Sequence, residues 1–272
     1  MSTDSNATVV PETNRFPSGT FTPNPQPAPL FRMLAAQTRL ELLLLLRNGE
    51  QLLLTMFIPV TMLIGLSLLP LTTSAGDTPA ARASTFVPAV LAVAIMSTAF
   101  TGQAIAVGFD RRYGALKRLG ATPIPRWGII AGKSLAVLIV VALQSAIIGG
   151  IGLAFGWRPS IAGLALGAIA IVVGTVAFAA LGLLLGGTLK AEVVLALGNL
   201  IWFVLLALAG LVVLDEHVPG LVHTIARLSP SGALTEALTQ ALASSFDVFG
   251  FCVLIAWAAI GSALAVRWFR FQ

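Results

Sequence analysis

The sequence has few charged residues and a single cysteine. Asp, Glu, Lys and Arg make up 10% of its 272 residues and 57% are hydrophobic, whereas about a quarter of an ordinary soluble domain is charged. This composition excludes a water-soluble globular protein and predicts an integral membrane protein. Cys252 lies within an apolar run and has no second cysteine in the chain to pair with, so it gives no information on redox compartment.

Acidic residues and histidines are missing from the middle of the long apolar segments. A carrier driven by protons or ions usually has such residues deep in its helices, so their absence disfavours intrinsic ion coupling. Both histidines, His217 and His223, lie in one loop beside Asp215 and Glu216, at a spacing that specifies no metal geometry. We therefore expect no metal site, no catalytic residues and no enzymatic activity.

The segment GIIAGKS, residues 128–134, falls short of a phosphate-binding loop. It is one residue shorter than GxxxxGK[ST], and Trp127 stands where the first glycine belongs. It also lies within an apolar segment, from which we expect Lys133 to extend to the membrane surface. The chain is thus expected to bind no nucleotide. Nucleic acid is excluded as well, because the basic residues lie at segment ends and in one loop.

Six apolar runs are long enough to cross about 30 Å of hydrocarbon. They cover residues 52–69, 86–109, 127–155, 161–189, 193–214 and 248–266. We therefore predict an all-α polytopic membrane protein with six transmembrane helices. Glycines four residues apart, as at Gly182 and Gly186, predict close helix packing within the chain.

The residues before the first run predict two further segments. Residues 30–47 form a separate helix along the inner interface, since Arg47 and Glu50 would be costly in hydrocarbon. Arg32 and Arg39 share one face of this helix, whereas Gln37 and Glu41 fall on the other. Residues 1–29 are polar and rich in proline, which predicts a disordered cytoplasmic tail without a cleavable signal peptide.

The distribution of basic residues predicts the orientation. With the amino terminus inside, thirteen of the sixteen Lys and Arg residues fall on inner segments, and both termini are cytoplasmic. Five of them lie in the loop FDRRYGALKRLGATPIPR, residues 109–126, between the second and third runs. This loop must then be cytoplasmic.

The same loop has the pattern of a short amphipathic helix. Phe109, Tyr113 and Leu116 fall on one stripe, and Arg111 and Arg118 fall opposite. Gly120 and two prolines then end the helix. On charge alone the loop could simply anchor the chain to lipid headgroups. The alternative is that it receives force from a soluble partner, since the chain carries no energy source of its own.

The order of a leading amphipathic helix, two spans, this basic loop and AGKSL resembles the membrane subunits of ABC type-2 exporters, particularly the bacterial drug-resistance branch. Relatives typically read F-E-R-E-x-G-T-L-E-R-L-x-A-T-P here, although Arg112 and Lys117 stand where acidic residues are common. The resemblance implies a coupling site for an ATPase that comprises Phe109, Arg111, Arg112, Tyr113, Gly114, Leu116, Lys117, Arg118, Leu119, Thr122 and Pro123.

The outer segment LSPSGALTEALTQAL, residues 228–242, is similar to the short re-entrant helices of that family, with Leu234, Leu238 and Leu242 four apart. By resemblance Glu236 would lie at the outer mouth of a pathway. The remaining pathway candidates are neutral polar residues deep in the spans. They are Gln103, Gln144 and Asn199, which could instead only tie helices together.

The resemblance implies the permease half of an ATP-driven exporter in a bacterial cytoplasmic membrane. Its partners would be a second permease, identical or paralogous, and cytoplasmic ABC ATPase subunits that bind ATP and Mg²⁺. Its substrate would be hydrophobic or amphipathic, such as a drug, an antibiotic or a lipid. Two alternatives stay open: a carrier or channel that uses no ATP, and a membrane scaffold that recruits a cytoplasmic enzyme.

Overall fold

A computed structural model describes residues 28–69, 78–122, 124–214 and 219–269, in which the chain forms helices and no strands. This confirms the predicted all-α class. His217, Pro123 and the predicted tail, apart from its last two positions, lie outside the described residues.

The helices are α1 (Leu30–Arg47), α2 (Gly49–Leu68), α3 (Pro79–Ile95), a π-helical segment (Met96–Gly102), α4 (Gln103–Arg112), α5 (Ala115–Leu119), α6 (Arg126–Ala154), α7 (Ile161–Thr188), α8 (Ala191–Val213), α9 (Gly220–Leu228), α10 (Pro230–Leu242) and α11 (Val248–Trp268).

Six of these helical segments are long and apolar enough to span a membrane. Their bounds are Gly49–Leu68, Pro79–Arg112, Trp127–Ala154, Ile161–Thr188, Ala191–Val213 and Val248–Trp268. The second span is one continuous rod made of α3, the π-helical segment and α4. All twelve ends fall within three residues of the prediction except the start of the second span. The chain is thus a multi-pass membrane protein.

The second span begins at Pro79 rather than Phe86, so it includes Arg82, which is buried in the bundle. Its side chain is 6% exposed, and its Nε donates to the carbonyl oxygen of Ser67 at 2.9 Å. Ser67 lies in the last turn of α2, where backbone carbonyls lack helical partners and the helix dipole favours a cation. Arg82 therefore fastens the end of the first span to the start of the second.

The core of the bundle surrounds α3, whose residues from Phe86 to Ile95 are all buried. Helices α2, α6, α7 and α10 pack around it. The predicted short outer helix is confirmed as α10, which also contacts α7, α8 and α11. Its three leucines at four-residue spacing, Leu234, Leu238 and Leu242, are at most 9% exposed. This part of the chain is therefore a packed element of the bundle and not a solvated loop.

Glycines on α7 allow the second span to approach closely. A Cβ atom at Gly182 would come within 2.8 Å of the carbonyl oxygens of Ala99 and Phe100, and one at Gly186 would collide with the carbonyl of Ala104. Because backbone atoms cannot move aside as a side chain can, only glycine fits. This confirms that the glycine pair packs within the chain.

We expect Gly186→Val to lower the stability of the bundle by about 1–3 kcal/mol or more, because overpacking forces α4 and α7 apart. Thermal unfolding of the purified protein in detergent measures the effect. Gly150→Val on α6 is the matched control, since nothing lies within 4 Å of a Cβ there. Equal melting temperatures for the two variants would contradict the packing described.

Candidate functional site

The loop between the second and third spans folds as α4, a break at Gly114 and the short helix α5. Gly114 has φ +71°, a left-handed conformation that glycine adopts at little cost. The predicted continuous amphipathic helix from Arg111 to Arg118 is therefore wrong, because the hydrogen-bonding pattern of α4 ends at Arg112 and five residues alone form α5. A helix within the loop is nevertheless present, as the sequence predicts.

Several of the predicted coupling residues hold the loop to the bundle. Leu116 is fully buried in a cluster with Ile129 and Leu183. The guanidinium of Arg111 donates to the carbonyl oxygens of Gly186 and Leu189 at 3.1 and 2.9 Å, and so closes the end of α7. The loop is thus fixed from its inner side by one apolar anchor and one cation.

Five further predicted coupling residues are exposed and form what we call the basic tip: Arg112, Tyr113, Lys117, Arg118 and Thr122. The Tyr113 side chain, 67% exposed, stacks on the ring of Phe109 with centroids 5.9 Å apart. Arg112 pairs with Glu192, but both side chains are at least half exposed, so we expect under about 1 kcal/mol from this pair. The basic tip is thus available to a partner.

A buried ion cluster lies directly behind the basic tip. The Nζ atom of Lys133 on α6 is 2.8 Å from Oε2 of Glu41 on α1 and 2.7 Å from Oδ2 of Asp110 on α4. Lys133 and Glu41 are each 6% exposed. Gln37 donates from Nε2 to the second oxygen of Glu41 at 2.8 Å. Three separate segments of the chain therefore meet at one ammonium group.

The prediction for Lys133 is wrong, because its side chain does not extend to the membrane surface but is buried and paired. The face of α1 that packs on the bundle carries Gln37 and Glu41, its two buried residues, which the sequence places opposite Arg32 and Arg39. One feature of the sequence could have indicated the cluster. Gln37 and Glu41 are a polar pair at four-residue spacing within a leucine-rich helix, and such a pair indicates a polar partner on the neighbouring helix.

A cavity of about 510 Å³ lies beside the second span, between α2, the π-helical segment and α8. It is about the size of a site for a drug-sized ligand. Its wall combines apolar and polar side chains. The lining residues are Asn48, Glu50, Gln51, Thr55, Ile58, Ser97, Thr101, Gly102, Ile105, Leu195, Asn199, Trp202 and Phe203.

The π-helical segment places polar side chains on two of its sides, one toward the cavity and one toward α6. Ser97 lies on the cavity wall, where its hydroxyl accepts a hydrogen bond from Nε1 of Trp202 at 3.1 Å. The next residue, Thr98, donates to Oε1 of Gln144 on α6 at 2.9 Å. The buried Oγ1 of Thr101, also on the wall, has no hydrogen-bond partner among the described residues. Such wide turns within α-helices are frequent at functional sites.

The four predicted pathway residues occupy different environments. Asn199 lines the cavity. Gln103 and Gln144 are buried between helices, Gln103 with its Nε2 3.5 Å from the carbonyl oxygen of Ala179. Glu236 is half-buried on α10 and accepts a hydrogen bond from Gln240 at 2.6 Å. The structure thus brings one of the four to the cavity, and the other three lie elsewhere.

We expect Lys133→Met to destabilise the protein by about 3–5 kcal/mol, because it leaves two carboxylates, one fully buried, without a counter-charge. The double substitution Lys133→Met with Glu41→Gln should recover part of this loss. Thermal unfolding in detergent measures both. Lys117→Met, which removes an exposed lysine, serves as the control. If Lys133→Met unfolds at the same temperature as Lys117→Met, the ion cluster has no structural role.

Comparison with known proteins gives one family. No curated protein matches the chain. The family model described as "ABC-2 type transporter" matches residues 33–243, which extend from the first turn of α1 to the end of α10 and include the basic tip, the ion cluster and the cavity. Members of this family generally work with a cytoplasmic ATPase. The chain therefore belongs to the ABC-2 type transporter family, as the membrane-spanning permease component of an ABC transporter.

Proposed function

We propose that this permease belongs to an exporter of the drug-resistance type, which moves a hydrophobic or amphipathic substrate out of a bacterial cytoplasm. Two permeases and two ATPase subunits would form the assembly, and ATP and Mg²⁺ would bind to the ATPases. The observation that supports this most directly is the position of the basic tip, which is exposed on one side and joined to three helices by the buried ion cluster on the other.

Force applied to the basic tip would reach the bundle through two rigid connections. Leu116 anchors α5 in the apolar cluster beneath it. Asp110, in the last turn of α4, is bound to Lys133 and through it to Glu41, so a displacement of α4 also moves α1 and α6. Closure of the ATPase pair on nucleotide would thereby shift the bundle between inward-open and outward-open states.

The cavity would be part of the substrate pathway. Asn199 is exposed nine residues into the fifth span, a depth at which contact with lipid is costly for a polar side chain. Helices α2 and α8, which form two of the cavity walls, are the least buried of the six spans. Both facts favour a second permease, rather than lipid, against this face.

The basic tip would face the cytoplasm, with both termini on the same side. This orientation follows the excess of Lys and Arg on the segments that share a side with the tip. Arg82 is one of the three basic residues assigned to the opposite side of the membrane. Its burial in the bundle therefore does not change the excess of Lys and Arg on the side of the tip.

The orientation can be tested by cysteine labelling. In a Cys252→Ser background, Lys117→Cys should react with a membrane-impermeant maleimide only after the cells are permeabilised, whereas Ser245→Cys, exposed after α10, should react in intact cells. Mass spectrometry of the purified protein gives the labelled fraction. The opposite pattern would remove the basic tip from contact with any cytoplasmic partner.

Coupling to an ATPase can be tested by charge reversal. Arg118→Glu should reduce the ATPase that co-purifies with the tagged chain by about tenfold, equivalent to a loss of about 1.4 kcal/mol, and should reduce nucleotide-dependent export accordingly. Arg158→Glu, an exposed arginine outside the loop, should change neither.

Two results would favour the other classes of protein. Flux in vesicles that contain the purified chain without an ATPase would indicate a carrier or channel. An ATPase or other enzyme that binds the tip with no effect on the flux of any compound would indicate a scaffold.

A further inference from the structure

We propose that the cavity between α2, the π-helical segment and α8 is a binding site for an amphipathic organic cation. Glu50 supplies the counter-charge, and Trp202 and Phe203 supply an aromatic wall. This inference rests on the proposed function and narrows the substrate class, which the sequence leaves open between drugs, antibiotics and lipids.

The charge of the cavity selects against anions. Among the described residues that line it, Glu50 is the only charged one, and the other polar groups are neutral amides and hydroxyls. Glu50 forms no ion pair within the part of the chain that the structure describes. It lies in the first turn of α2. An anionic ligand would meet this carboxylate with no basic side chain on the wall to compensate.

The aromatic pair on α8 adds a surface that suits a cation. The indole of Trp202 is held in place by its hydrogen bond to Ser97. The ring of Phe203 packs edge-on against it with centroids 5.0 Å apart, and Phe203 is 63% exposed. The face of an aromatic ring attracts a cation, by about 0.5–2 kcal/mol depending on solvation. The wall therefore carries two aromatic rings as well as a carboxylate.

The remaining wall fits the carbon skeleton of such a ligand. Ile58, Ile105 and Leu195 provide apolar contacts. Gln51 and Asn199 on the same wall provide neutral amide groups for a polar substituent. A volume of about 510 Å³ accommodates a molecule of several rings.

The test uses two probes of nearly identical shape and opposite charge, tetraphenylphosphonium and tetraphenylborate. The full-length permease, without an ATPase, is reconstituted in nanodiscs of neutral phosphatidylcholine, and equilibrium dialysis measures binding with protein-free nanodiscs subtracted. We expect saturable binding of the phosphonium and none of the borate. Borate binding as tight as phosphonium binding would overturn the proposal.

Substitutions locate the bound cation. Glu50→Gln should weaken phosphonium binding by about tenfold, equal to about 1.4 kcal/mol, and Phe203→Leu by about two- to fivefold through the lost aromatic face. Glu192→Gln is the matched control, because Glu192 has the same first-turn position on α8 but lies outside the cavity. Unchanged binding in Glu50→Gln, or an equal loss in Glu192→Gln, would overturn the assignment.

The outcome is independent of the proposed coupling to an ATPase. Binding is measured in the absence of nucleotide and of any partner, so failure of the ATPase experiments leaves the cation site standing. Conversely, nucleotide-dependent export by a permease that binds no cation would overturn the site and leave the exporter intact.

Discussion

The structure depends on the burial of one ammonium group among apolar helices. Removing Lys133 from water costs several kcal/mol unless carboxylates lie within bonding distance, and Glu41 and Asp110 both do. Because those two acids belong to α1 and α4, this requirement determines where both helices lie against α6. The leading helix, which by sequence could lie free on a membrane surface, is in this way made part of the bundle. Arg82 and Arg111 act similarly at the ends of α2 and α7, with backbone carbonyls as partners.

The second span connects the two parts of the molecule that the proposed function requires. Asp110 and Gly102 are eight residues apart, a distance of about 12 Å along a helix, so the ion cluster and the cavity wall belong to one rod. The π-helical segment that ends at Gly102 lies between them and has the wider i→i+5 hydrogen-bonding pattern. In the proposed mechanism, a displacement of α4 would reach the cavity through this segment, which contributes Ser97 and Thr101 to the wall.

Features governed by length and composition were predictable from the sequence, and those governed by pairing across the bundle were not. Hydropathy alone gave five of the six spans within three residues at both ends. The start of the second span was missed because the prediction treated Arg82 as an exposed charge. The free-energy cost of burying this arginine is offset by hydrogen bonds to carbonyl groups at the end of α2, and only the folded structure places them beside it. The same holds for Lys133, whose partners are 92 and 23 residues away in sequence. The position of the loop between the second and third spans was predicted correctly, but the left-handed Gly114 that divides it depends on a backbone conformation that periodicity does not report. The π-helical segment left no signal in the apolar pattern.

The solid packing of α3 and α10 has a consequence for stoichiometry. Phe86 to Ile95 and the leucines of α10 fill the axis of the described bundle with side chains, and the cavity opens on its flank, beside α2 and α8. A solute that follows the proposed route would therefore move along the side of the bundle, beside α2 and α8, and not through its centre. In the proposed assembly, a second permease would cover this open side of the cavity.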